Sequence, residues 1–183
     1  ILSLIAITSL GGIAALVNSR GVAEEMLRAM ETAGANLAIL DAERDDIISA
    51  AAPDPHFRRI VIGSPACPLR AGKDADFALI SAPVPGLNFT PEDIHPDEGA
   101  IVLFTSGTTG FPKGALLSHG ALAASVAVAT FMGALYDVRY EEESGETLPD
   151  HQRAMATPAV ILGPMFHLGG IMPSLRAISV GTT

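Results

Sequence analysis

Short apolar runs alternating with amphipathic segments constrain this chain more than any other feature. Strand-like runs recur at 13–17, 37–40, 59–62 and 100–104. Between the first two, Val22, Met26, Leu27 and Met30 share one helical face, Glu24 and Glu25 fall in the first turn, and Gly34 supplies a stop. Between the next two, residues 42–51 read as a short helix with Ile47 and Ile48 turned inward. This alternation predicts an α/β fold, a mainly parallel β-sheet with helices on both faces. The stretch 63–99 holds six prolines and only a weak period, so it reads as a long connection with one short strand at 77–80.

Two further apolar stretches bear on the architecture. Residues 1–17 are shorter than the roughly 20 needed to cross a bilayer and are interrupted by Gly11-Gly12, which predicts a core helix and then a strand. Residues 119–136 are apolar all round, which predicts a helix buried between layers, with Ser118 as its N-cap. No transmembrane segment is expected. The opening, without an initiator Met or a basic leader, reads as an internal start and not as a signal peptide. Residues 140–150 are acidic and lack an apolar period, so they are expected to form an exposed loop. A calcium site there is the weaker reading, because the carboxylates lack the alternating order of a calcium loop.

Composition removes several function classes. A net charge of −9 disfavours nucleic acid or an anionic membrane as partner. The absence of Trp and the low aromatic content argue against a platform of stacked rings. The one cysteine, Cys67, excludes an intrachain disulfide and suits a reducing cytoplasm.

The stretch 104–114 carries the chemistry. It places Thr105, Ser106, Thr108 and Thr109, three glycines at Gly107, Gly110 and Gly114, and Lys113 directly after the apolar run 100–104. A loop hung between a strand end and a helix start aims N–H groups at an anion, glycines adopt positive φ and permit close approach, and hydroxyls donate hydrogen bonds. Lys113 is the only formally charged side chain between Glu98 and Asp137, which is unlike a solvated face. The competing reading is a Gly/Thr/Ser surface turn. The segment is not the P-loop of nucleotide triphosphatases, which ends in Gly-Lys-Ser/Thr where this chain has Pro112-Lys113-Gly114.

Residues 105–114, Thr-Ser-Gly-Thr-Thr-Gly-Phe-Pro-Lys-Gly, closely resemble the signature loop of the adenylate-forming, AMP-binding superfamily, which includes acyl-CoA synthetases, luciferase-like enzymes and the adenylation domains of peptide synthetases. The segment Leu117-Ser118-His119-Gly120-Ala121-Leu122 is similar to the start of the family's following helix, and 163–170, with Pro164, Phe166 and His167, to its next motif. Upstream, 12–19 and the Glu-bearing helix leading to Ala33-Gly34-Ala35 resemble the family's early βα region. The resemblance implies part of the family's large N-terminal domain, with 1–98 as a first βα portion, 99–183 as a phosphate-loop portion, and the C-terminal domain absent. The family's aromatic-Gly-x-Thr-Glu segment, ribose-binding Asp and mobile lysine have no counterpart in these residues.

Such a resemblance implies an ATP-dependent ligase. A carboxylic acid, expected to be a fatty acid, attacks the α-phosphorus of ATP, pyrophosphate leaves, and the acyl group passes to coenzyme A. Thr105, Ser106, Gly107, Thr108, Thr109, Gly110, Lys113 and Gly114 would cradle the phosphates, Thr108 and Thr109 would help position magnesium, and Lys113 would offset the leaving charge. His167 would lie near the acyl carboxylate and the thiol entrance, while His119 reads as a capping or packing residue. An adenylation domain, a luciferase-like enzyme and a non-catalytic nucleotide-binding module remain alternatives. A homodimer stays open, and the 183 residues alone are expected to be inactive.

Overall fold

The computed structural model describes residues 1–105, 113–154 and 161–181. Its strands are Ala14–Leu16 (β1), Leu37–Asp41 (β2), Arg58–Ile62 (β3), Ala75–Asp76 (β4), Gly99–Thr105 (β5) and Lys113–Ser118 (β6). The helices are Leu2–Ser9 (α1), Ala23–Thr32 (α2), Ala42–Ala51 (α3), Phe77–Ile80 (α4), His119–Ser144 (α5) and Leu168–Val180 (α6). The α/β class is as expected, and the strands divide between two three-stranded sheets, β1-β5-β6 and β2-β3-β4. The second sheet is wholly parallel. In the first, β1 runs parallel to β5 and β6 returns antiparallel.

Local chemistry explains most boundaries. The Asp41 carboxylate accepts from the N–H of Arg44 and starts α3, and Ser118 accepts from the N–H of Ala121 and starts α5 as expected. Gly34 has φ 63°, a left-handed backbone that stops α2 one residue beyond its C-cap.

In the first sheet the register sets Ala14, Leu16, Ile101, Leu103 and Leu117 on one face. They cluster with Ile171, Met172 and Leu175 of α6 and with Leu4 of α1. The second core gathers Met26 and Met30 of α2, Ala38 and Leu40 of β2, Ile48 of α3 and Phe57. Burying such side chains contributes roughly 1.5–3 kcal/mol each.

Several expectations need correction. Residues 77–80 form a helical turn and not a strand, because Asp76 accepts from the N–H of Ala78 and caps it; the short strand lies just before, at Ala75–Asp76. Of the two isoleucines of α3 only Ile48 is buried; Ile47 is exposed, and Asp45 and Ser49 share the inward face with Ile48. The acidic stretch is not a loop from residue 140, since α5 continues to Ser144 and ends at Gly145 with φ 71°. Two of its glutamates are held by arginines, Glu143 by Arg139 at 2.7 Å and Glu141 by Arg153 at 2.9 Å.

The largest departure concerns α5. Asp137 is its one buried residue, whereas Val128, Phe131, Met132 and Tyr136 are exposed. The helix touches α6 and β6, so only a narrow side is covered by described residues. With a mean hydropathy of 1.6 it is long and apolar enough to cross a membrane by length and composition, a test that a core helix also passes.

Candidate functional site

The expected phosphate loop is framed by an antiparallel pair of strands. Thr105 closes β5, Lys113 opens β6, and the two are direct partners in the ladder. The Thr105 hydroxyl donates to the Lys113 carbonyl at 3.4 Å. The loop therefore joins two strands and does not lead straight into a helix, as the sequence had suggested; α5 begins only after β6, at His119. Ser106, Gly107, Thr108, Thr109 and Gly110 lie outside the described residues. Lys113 is exposed and makes no ion pair among the described residues, so its ammonium is available to an anion.

Gly114 has a different reason to be glycine than the one expected. It sits within β6 opposite Phe104, and its φ is not in the left-handed region. A Cβ there would lie 2.8 Å from Cγ1 of Val102 and 3.5 Å from Cε1 of Phe104. Close packing across the sheet excludes a side chain, and positive φ plays no part.

Val102, Phe104, Gly114 and Leu116 form the face of the first sheet opposite its main cluster, and they line a cavity of about 960 Å³. The segment before α6 closes another part of this cavity through Met165 and Phe166. A volume of this order suits a small-molecule substrate.

His167 stands at the N-cap of α6 without a side-chain capping bond, and its carbonyl accepts from the N–H groups of Gly170 and Ile171, both at 3.0 Å. Its ring is exposed and rests against Phe166, with centroids 4.8 Å apart at 56°. Among the described residues Phe166, and not His167, lines the cavity beside Gly114. Residues 155–160, which precede this segment, lie outside the described residues. The turn before α6 depends on glycine, because a Cβ at Gly163 would come within 2.7 Å of the Gly169 carbonyl carbon. His119 has its Nε2 buried without a hydrogen-bond partner, in keeping with packing at the start of α5.

Sequence reading missed the strongest electrostatic feature, a charge network in the second sheet. Arg59 is 1% exposed and donates to both Asp45 oxygens at 3.0 and 3.1 Å, to Ser49 at 2.6 Å, and to Asp74 at 2.6 Å. Arg70 donates to Asp74 three times, from its backbone N–H at 2.8 Å and its guanidinium at 3.0 and 2.9 Å, and binds Asp54 at 2.7 Å. Burial alone would raise the Asp74 pKa, but hydrogen bonds from Arg70 and Arg59 outweigh it and hold the carboxyl well below the usual range. Burial pushes Asp45 up, and the charge of Arg59 only partly offsets this. The available signal was Arg59 itself, which shares the strand's inward face with Phe57 and Val61. The network binds β3, α3 and the connection after β3 together, and every acid in it has a partner, so it holds structure and leaves no group for substrate.

The AMP-binding enzyme family matches residues 1–183. The chain belongs to that family. It is 26% identical over 167 residues to the fatty acid–[acyl-carrier-protein] ligase ScoC of Streptomyces coeruleorubidus, covering 91% of this chain and 27% of that protein. It is 34% identical over 96 residues to 4-coumarate–CoA ligase-like 9 of Arabidopsis thaliana, covering 49% of this chain and 13% of the relative. In structure it superposes on the luciferase-like enzyme of the nonluminescent mealworm Zophobas morio with a TM-score of 0.72 at 21% identity, over 98% of this chain and 37% of the other. The chain thus spans about a quarter or less of these curated relatives, and the fold it shares with the mealworm enzyme covers nearly all of its own length.

Proposed function

We propose that the protein carrying this chain is an ATP-dependent acyl-CoA synthetase, which activates a carboxylic acid, a fatty acid in the first instance, as acyl-AMP and transfers it to coenzyme A. The observation that carries this reading is the Thr105–Lys113 strand pair, which presents both ends of the family's signature loop at one sheet edge, with an ammonium that makes no ion pair among the described residues. Departure of pyrophosphate concentrates charge on the β and γ phosphates, and Lys113 supplies a cation where that charge develops. Magnesium takes most of its ligands from phosphate and water, so the hydroxyls of Thr108 and Thr109 fit the small protein share. His167 and Phe166 would approach the acid from the start of α6.

The similarity to ScoC favours a second reading, in which the thiol belongs to an acyl carrier protein. In either case residues 1–98 and 99–183 would act as portions of one nucleotide-binding domain, in the cytoplasm, as a monomer or homodimer. The deciding experiment is acid-dependent exchange of labelled pyrophosphate into ATP by the full-length protein, followed by acyl transfer to coenzyme A or to a carrier protein. Exchange with fatty acids and thioester formation on coenzyme A is the expected result. Transfer only to the carrier would select the second reading, and no exchange with any carboxylic acid would remove both.

A further inference from the structure

β1 and β5 run parallel with Leu16 beside Leu103, so the chain that leaves β1 through Asn18 to Arg20 does so at the end of the sheet where β5 finishes at Thr105. Thr105 in turn has Lys113 as its partner on the other side. Neighbouring strands lie about 4.8 Å apart, so this edge spans about 10 Å from the end of β1 to Lys113. The chain leaves β1 in a turn with three fixed points. The N–H of Gly21 donates to the Asn18 carbonyl at 3.2 Å, the N–H of Arg20 to Asn18 Oδ1 at 3.0 Å, and Nε of Arg44 to the Ser19 carbonyl at 3.1 Å. Backbone and α3 together set the position from which the Arg20 side chain projects.

That side chain is exposed and makes no ion pair or hydrogen bond among the described residues. The contrast with its own kind is informative: Arg28, Arg44, Arg59, Arg70, Arg139 and Arg153 each hold a carboxylate, and Arg58 and Arg176 donate to backbone carbonyls. In a chain of net charge −9, two cations without an acid partner among the described residues, Arg20 in the turn after β1 and Lys113 at the start of β6, lie at the same end of the first sheet. Such an edge attracts anions that the rest of the surface repels.

We infer that Arg20 is a second cation of the Thr105–Lys113 edge and binds the terminal phosphates of the nucleotide. This rests on the reading of that edge as a phosphate clamp. A guanidinium grips two phosphate oxygens at once, whereas an ammonium acts as a point charge. Arg20 therefore distinguishes polyphosphates from a monophosphate: it favours ATP and pyrophosphate and is indifferent to AMP.

Calorimetric titration of the full-length protein with magnesium pyrophosphate, ATP and AMP tests this. Arg20→Ala should weaken pyrophosphate and ATP binding about tenfold, the size expected for losing one charged hydrogen-bonding group. It should leave AMP affinity and the melting temperature unchanged, and Arg20→Lys should recover part of the loss. If the alanine variant misfolds, Arg20→Gln reads the same comparison. Unaltered pyrophosphate affinity in a folded variant, with a wild type that binds it, overturns the role of Arg20 alone. An equal loss for AMP also overturns it. A wild type that binds neither ATP nor pyrophosphate removes the clamp reading beneath it.

Discussion

The two sheets use charge in opposite ways. In the β2-β3-β4 sheet, Arg59 and Asp74 have fully buried side chains and saturate one another's hydrogen bonds, with Arg70 and Asp45 completing the set. In the β1-β5-β6 sheet, Lys113 stands exposed beside Thr105 without an acid partner among the described residues. A buried charge must be neutralised where it sits, because its desolvation costs several kcal/mol. A charge kept for a ligand must stay solvated and unpaired until the ligand arrives. Burial and pairing therefore separate the group that holds the fold from the group proposed to meet the nucleotide, although both are basic residues in or beside a strand.

The sharpest way to break this distinction is to remove one buried acid. Asp74→Asn should destabilise the protein by about 3–5 kcal/mol, since it removes the acid that Arg59 and Arg70 share and leaves Asp45 as the one buried carboxylate on Arg59, and denaturant unfolding measures the loss. The pH dependence follows from the sign of the shift. The folded pKa of Asp74 is depressed, so its contribution is in place above the unfolded value of about 3.9 and is lost as pH falls toward the folded value. The asparagine variant should lose less further stability than wild type below about pH 4. Asp45 is shifted up and works the other way, contributing most at low pH and losing its contribution as pH rises through the folded value.

Lys113→Ala should show the converse pattern. Adenylation by the full-length protein, followed by pyrophosphate exchange, should fall about 100-fold, the scale of losing one group that meets developing charge, while the melting temperature holds. A drop in melting temperature with normal exchange would reassign Lys113 to the structural class.

Gly114→Val tests the packing argument at the same edge. Its side chain would meet Val102 and Phe104, so a loss of about 1–3 kcal/mol in stability is expected, together with weaker nucleotide binding as β6 shifts. Full stability would show that the face has room to spare.

The smallest effect belongs to His167→Ala. If the ring meets the acid through one neutral hydrogen bond, the KM for acid should rise roughly fivefold with no change in stability, on the order of 1 kcal/mol. Identical constants for acid, ATP and thiol would leave His167 as the N-cap of α6 and nothing more.

Much of the fold was legible because local chemistry and period agree. Strands at 14–16, 37–41, 58–62 and 99–105, the helix Ala42–Ala51 and the cap at Ser118 are written in apolar runs, acids and hydroxyls that act over four residues or fewer. The candidate site was legible as a motif for the same reason, since Thr105, Lys113 and Gly114 belong to one continuous stretch. Its framing was not. Nothing local in Lys113–Ser118 announces an antiparallel strand, whose existence depends on hydrogen bonds to β5.

Other decisions were wholly tertiary. An apolar period reports that a side chain avoids water but not which layer covers it, so α5 read as buried while its described surroundings cover only a narrow side. A glycine in sequence does not say whether it serves positive φ or close approach, and at Gly114 the neighbouring Val102 decided. Arg59 shows the limit most plainly. Sequence determined that a cation lay in the strand 58–62 and that α3 carried Asp45, but the pairing that makes the charge tolerable joins residues 14 and 15 positions away in the chain. Local sequence fixes what is decided by bonds within a turn or a strand; long-range charge pairing and cross-strand contact exist only once the chain has closed on itself.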